Sequence, residues 1–191
     1  MKTKIRLLAL AAAWFVSGNA LAADPYADTM RMFKSAGESG KYFANSYGYA
    51  VFPTIGKAGL GVGAAHGKGR MYEHGRLVGN VSMTQLSVGL QAGGQAFSEI
   101  IFFENKDRFS EFKNGNFEFG ADIGAIAVTV AANAGASSSG GASAGASASK
   151  TEASASGGYQ KGVAVFTIAK GGLMYQAAVQ GQKFSYERRG K

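Results

Sequence analysis

Two histidines, His66 and His74, lie eight positions apart in a glycine-rich stretch. Glu73 is their only close carboxylate neighbour, so the ligand set a zinc ion takes is missing and no metal site is expected. Ser143 stands in Gly141-Ala142-Ser143-Ala144-Gly145, which has the Gly-x-Ser-x-Gly form of a nucleophile elbow. A working elbow needs a strand before the serine and a helix after it, and here a Gly/Ala/Ser repeat produces the string by composition. Gly59, Gly61 and Gly63 are spaced like the start of a dinucleotide loop, but the third glycine is absent and a strand is predicted to follow. Glu99, Glu104, Asp107, Glu111, Glu118 and Asp122 supply carboxylates for acid–base work. Glu104 to Glu111 read as the solvated face of a helix, and Glu118 and Asp122 would share one face of a strand. The chain has no cysteine, which removes thiolate ligands, thiol nucleophiles and disulfides. No nucleophile–base set emerges, so the expectation is no enzyme, no catalytic residue and no cofactor.

The basic residues are the stronger signal. Lysine and arginine number 20 against 12 acids, a formal charge of +8. Lys57, Lys68, Arg70 and Arg76 crowd the first glycine-rich unit, and Lys183, Arg188, Arg189 and Lys191 crowd the end; Lys170 lies in a second, similar unit. Cations beside exposed apolar side chains attract anionic lipid headgroups, at about 1 kcal/mol per Lys or Arg near the surface. Lys57, Lys68, Arg70, Arg76, Lys170, Lys183, Arg188 and Arg189 are therefore the lipid-binding candidates. Met30, Phe33, Tyr42 and Phe43 are candidates for an apolar face at the membrane interface. The competing reading packs those four side chains on a sheet and leaves the cations as solubilising charge. Nucleic acid would suit the charge but not the address given next.

Residues 1–22 have the form of a secretory signal peptide. Lys2, Lys4 and Arg6 precede an apolar run from Leu7 to Val16, too short to span a bilayer, and Ala20-Leu21-Ala22 offers a small-x-small cleavage site. Cleavage near Ala22 predicts a periplasmic or secreted product, possible as a peripheral membrane protein, and residues 23–191 as one domain. Asp24-Pro25 opens a predicted helix, by cap and first-turn proline, and Ser35 with Glu38 forms a capping-box pattern for a second short one. A mid-chain helix is predicted over Lys106 to Lys113, capped by Asn105, with Phe109 and Phe112 inward. Tyr49 to Phe52 reads as a strand stopped by Pro53, and Arg70 to Glu73 as a short strand between turns at His66–Gly69 and His74–Arg76. Residues 135–158 are almost entirely Ala, Ser and Gly and are expected to form a flexible surface loop. Ala50, Val51, Phe52, Thr54 and Ile55 are echoed by Ala164, Val165, Phe166, Thr167 and Ile168, two similar strand units. The expected fold class is α+β: mainly antiparallel sheet or a barrel-like sheet with repeated strand units, short N-terminal helices and one mid-chain helix.

The run from Tyr47 to Gly63, YGYAVFPTIGKAGLGVG, resembles the opening of the SYLF lipid-binding domain in its secreted bacterial form. SVGLQAGGQ from Ser87, FEFGAD from Phe117 and KGGL from Lys170 fit the same pattern, in order, over about residues 26 to 187. The resemblance implies a non-enzymatic phospholipid-binding module whose partner is an anionic membrane surface of the cell envelope. The long Ala/Ser/Gly loop departs from the family pattern. The alternative from a different class is a small outer-membrane or structural envelope protein. A membrane barrel needs a continuous outward apolar band, which residues 58–76 interrupt.

Overall fold

The computed structural model describes residues 23–115, 117, 119, 123–127, 158–170 and 181–189. Residues 1–22, Glu118, Asp122, Ser143, Lys191 and nearly all of the 135–158 stretch lie outside them. Helix α1 (Pro25–Ser35) starts as the cap residues dictate: the Asp24 side chain accepts from the Tyr26 N–H at 3.0 Å and Pro25 fills the first turn. The capping box does not form. Ser35 Oγ instead donates to the Met32 carbonyl at 2.9 Å, closing α1, and α2 (Gly37–Gly40) begins at Ala36 without a side-chain cap. Helix α3 (Tyr42–Asn45) follows directly.

Two very long strands then dominate. Strand β1 (Gly48–Glu73) and β2 (Arg76–Phe103) form one antiparallel ribbon, turned at His74-Gly75, where φ values of 47° and 78° suit a two-residue hairpin loop. Pro53 does not stop β1. It sits in a register irregularity between Phe52 and Ile55, a position where its missing N–H costs no ladder bond. The predicted turn at His66–Gly69 is likewise strand. Helix α4 (Lys106–Lys113) follows β2 with Asn105 as its cap, as expected.

The far edge of β2 is shared. Its residues 79–85 pair with β5 (Gln182–Arg188), and residues 97–103 pair with β4 (Val163–Ala169), beside which β3 (Ala125–Ala127) runs parallel. The result is an α+β fold with a mostly antiparallel sheet, five strands of it among the described residues, open rather than closed into a barrel. The two echoed units do not pair with each other. They flank the same segment of β2, so that Ala50 and Val165 both oppose Ile101.

The ribbon folds back on its own base. Inward-facing glycines permit it: a Cβ at Gly69 would lie 2.7 Å from the Phe52 ring and 2.8 Å from the Val51 carbonyl oxygen. The tip reaches the base, where the His74 N–H donates to the Tyr47 carbonyl at 3.1 Å and the Tyr47 hydroxyl donates to Glu73. Between the layers lies one core, with Phe52, Met71, Met83, Phe97, Ile101, Phe103 and Phe184, closed by Phe109 and Phe112 of α4. Phe112 packs 4.8 Å from Phe103 and 4.7 Å from Phe184, ring centre to ring centre. The opposite face of the base sheet buries Val51, Ile100, Phe102 and Phe166 under Phe33 and Tyr42 of the N-terminal helices. Each such aromatic or aliphatic side chain contributes about 1.5–3 kcal/mol on burial, which is what holds the short helices in place.

Candidate functional site

Period-two alternation sets the site. In the folded-over half of the ribbon, Ala65, Gly67, Gly69 and Met71 face inward, so Ala64, His66 and Lys68 are exposed on the outer side. Register places Lys68 opposite Ser82, His66 opposite Thr84 and Ala64 opposite Leu86, and places Lys183 of β5 opposite the same Thr84. Paired residues share a face, so His66 and Lys183 flank Thr84, and Lys68, two residues further along β1 and opposite Ser82, lies on the same three-stranded outer surface. At the bend end of that surface stand Val62, 63% exposed, and Leu86, 79% exposed, the large apolar side chains most open to solvent among the described residues. Two clefts of ≈ 290 Å³ and ≈ 430 Å³ lie on either side of Lys68 and share Tyr26 of α1 as a wall. The first adds Asn80, Ser82, Ser185 and the carboxylate of Glu187; the second adds Thr54 and His66. A cation between two clefts of largely apolar wall, on a face that ends in bare Val and Leu, is a surface that takes an anionic group beside an apolar phase.

The other basic candidates are dispersed. Arg70 is a clamp: it pairs with Asp24 at 2.9 Å and stacks on the Tyr26 ring at 4.0 Å, fastening the start of α1 to β1. Lys170, at the end of β4, donates to Thr54 Oγ1 at 3.0 Å, beside the larger cleft. Lys57 lies within β1 opposite Gln95 rather than in a turn equivalent to that of Lys170. Arg76 adjoins the hairpin tip opposite Glu73, and Arg188 and Arg189 are exposed at the far end of β5. Of the eight, the fold brings Lys68 and Lys183 onto the surface that also holds the bare apolar side chains.

The proposed interfacial aromatics divide. Phe33 is fully buried and Tyr42 is 5% exposed, stacked on Phe102 at 5.4 Å and tilted against Phe166 at 5.1 Å, so both are core rather than interface. Met30 and Phe43 are half-buried and pack on the same cluster, Phe43 with its ring 5.1 Å from that of Tyr49. A helix propped on a sheet turns its aromatic stripe inward, and the stripe alone does not distinguish a sheet from a bilayer as its cover. The apolar side chains that sequence reasoning missed are Val62 and Leu86. Their alternation with glycines and polar residues marked them as strand, but nothing in the pattern says which face the ribbon covers when it folds.

Among the described residues no group of His, Asp and Glu is placed to hold a metal ion, and no helix is long and apolar enough to cross a membrane. His66 is exposed, and His74 rests edge-on against Tyr47 at 4.5 Å. Glu104, Asp107 and Glu111 are solvated, with Glu111 bridged to Arg108 at 2.7 Å. Glu99 is the exception. It is fully buried in the inter-layer core, where burial pushes its carboxyl up to about 8 against the opposing pull of a hydrogen bond from Gln182.

Replacing Arg70 by Ala tests the clamp. Losing a half-exposed ion pair and a cation–π stack is expected to lower stability by about 1 kcal/mol, read as a smaller urea midpoint. An unchanged midpoint would mean that Arg70 does not fasten α1.

No family model matches the chain. Beta cell expansion factor A of Aeromonas veronii is 26% identical over 177 residues, an alignment that takes in 86% of this chain and 56% of that protein. The chain thus spans little more than half the length of this curated relative.

Proposed function

We propose that this is a non-enzymatic, SYLF-like module of the cell envelope that docks peripherally on anionic phospholipid membranes through the outer face of the folded ribbon. The observation that favours it is the coincidence on one face of Lys68 and Lys183 with Val62 and Leu86 at 63% and 79% exposure. Cations there meet headgroups while the bare side chains enter the boundary with the acyl chains. The motif runs beginning at Tyr47, Ser87, Phe117 and Lys170 support the family reading, and the likeness to Beta cell expansion factor A over most of the chain agrees with a shared fold. The outer-membrane alternative is disfavoured because the N-terminal helices cover one face of the base sheet and the folded-over ribbon with α4 covers the other, which leaves no outward apolar band on the base sheet among the described residues.

Co-sedimentation with vesicles tests the reading. Binding to vesicles containing anionic phospholipid, weak binding to neutral ones, and loss in high salt are the expected results. Equal binding to both, or none to either, would remove the proposal.

A further inference from the structure

The inter-layer core contains a carboxyl group that no reading of the outer face uses. Glu99, on the base half of β2, and Gln182, the first residue of β5, are both fully buried. Gln182 Nε2 donates to Glu99 Oε2 at 3.0 Å. Among the described residues, Glu99 Oε1, Gln182 Oε1 and the hydroxyl of Thr167, opposite Glu99 on β4, have no hydrogen-bond partner. Two unpartnered buried acceptors on one hydrogen-bonded pair are costly as they stand. A single proton on Glu99 Oε1 resolves both, because a protonated carboxyl is a donor and the Gln182 oxygen is the adjacent acceptor. The oxygens of a carboxyl and the oxygen and nitrogen of a primary amide have nearly the same spacing. A head-to-head pair that makes one bond therefore brings the second pair of atoms within reach.

We propose that Glu99 is a neutral carboxylic acid joined to Gln182 by two hydrogen bonds, and that this pair is a proton-dependent latch holding the C-terminal strand to the base of the ribbon. The surroundings supply no countercharge. Phe52 opposes Glu99 from β1, Thr167 opposes it from β4, Gln182 meets it from β5, and α4 contributes Phe109 and Phe112 to the same core. Among the described residues no Lys, Arg, His, Asp or other Glu is buried with it, and burial outweighs every other influence on its titration; Glu118 and Asp122 lie outside the described residues. Ionisation would turn the second bond into a repulsion between two oxygens and leave a buried charge. The start of β5 is what it would release.

The sign of the pH dependence follows. The unfolded chain gives up this proton near the ordinary 4.5 and the folded chain only near 8. Folding stability from this group is therefore full below about pH 4.5, falls as pH rises toward about 8, and is flat beyond. The pair is tested by infrared spectroscopy and thermal unfolding of the full chain, wild type beside Glu99→Gln and Glu99→Met. Wild type should show a protonated-carboxyl carbonyl band at pH 6 that vanishes by pH 10 and is missing from Glu99→Gln at pH 6. Glu99→Gln can make both hydrogen bonds without a titrating proton, so its melting temperature should lose the part of the pH dependence that belongs to Glu99. Glu99→Met keeps volume but neither bond, and should melt below Glu99→Gln at pH 6. If Glu99→Gln does not fold, amide exchange in wild type replaces it: residues 183–188 should lose protection above pH 8 beyond the base-catalysed rate. Absence of the carboxyl band at pH 6, a band unchanged in Glu99→Gln, or β5 protection that does not fall would each overturn the latch.

Discussion

Gly48→Ala is expected to be among the most damaging single-methyl additions available to this chain. A Cβ at Gly48 would sit 2.5 Å from the Tyr72 carbonyl oxygen and 2.5 Å from the Phe109 ring. Neither neighbour has room to move. Tyr72 lies at the ribbon tip, next to the hydrogen bonds that tie His74 and Glu73 to Tyr47, and Phe109 is held by α4 against Phe103 at 5.6 Å. Overpacking a well-filled site costs about 1–3 kcal/mol, and here backbone must shift as well, so a loss of about 3 kcal/mol is expected. That is a large share of a typical total of about 5–15 kcal/mol. Gly56→Ala is the matched control. Its added Cβ would meet nothing within 4 Å, and with less freedom in the unfolded chain the change should be neutral or stabilising by up to about 1 kcal/mol. Urea unfolding of both variants decides it. A cost below about 1 kcal/mol for Gly48→Ala would mean that the tip does not close tightly on the base.

The same contact explains where sequence reasoning stopped. Caps are local chemistry, so Asp24 with Pro25 and Asn105 marked α1 and α4 where they occur. Gly67 and Gly69 read as turn residues in the sequence because glycine is the usual punctuation of turns. They are strand glycines whose missing side chains make room for another layer: a Cβ at Gly67 would lie 2.6 Å from Ile55 Cγ1. The alternation of these glycines with His66, Lys68 and Arg70 was a strand signal all along. Only the packing partner gave it meaning, and that partner is twelve or more residues away in the chain. Among the carboxylates that could do acid–base work, the sequence does not single out Glu99, for a similar reason. Its setting in the apolar run from Phe97 to Phe103 hinted at burial, but the Gln182 amide that satisfies it belongs to the last strand. Phe33 and Tyr42 suit a membrane face in the sequence because a helical stripe shows amphipathicity without naming what it covers. The fold class was legible; the folding-over of the ribbon was not, and the candidate face exists only because of it.

Reversing charge on the outer face is the other large effect. Lys68 opposite Ser82 and Lys183 opposite Thr84 share that face, both exposed. Lys68→Glu with Lys183→Glu removes two cations and adds two like charges, and a contribution of about 1 kcal/mol per cation sets a loss of at least about 2 kcal/mol, or roughly thirtyfold, in affinity for anionic vesicles. Salt should narrow the gap between the variant and wild type, since the missing attraction is the screened one. Leu86→Asp acts through the other half of the mechanism. At 79% exposure Leu86 contributes little to folding, so the substitution should leave the melting temperature nearly unchanged while weakening vesicle binding, including the part that survives salt. Lys106→Glu supplies the control: it is exposed at the start of α4, on the helix that covers the inner core, and should bind within about twofold of wild type. The comparison separates a directed surface from general basicity. If Lys106→Glu weakens binding as much per charge as the outer-face pair, attraction depends on net charge alone and the folded ribbon presents no docking face. If the pair and Leu86→Asp fall together while Lys106→Glu does not, cations and apolar side chains act as one surface, assembled by the glycines that let β1 close on itself.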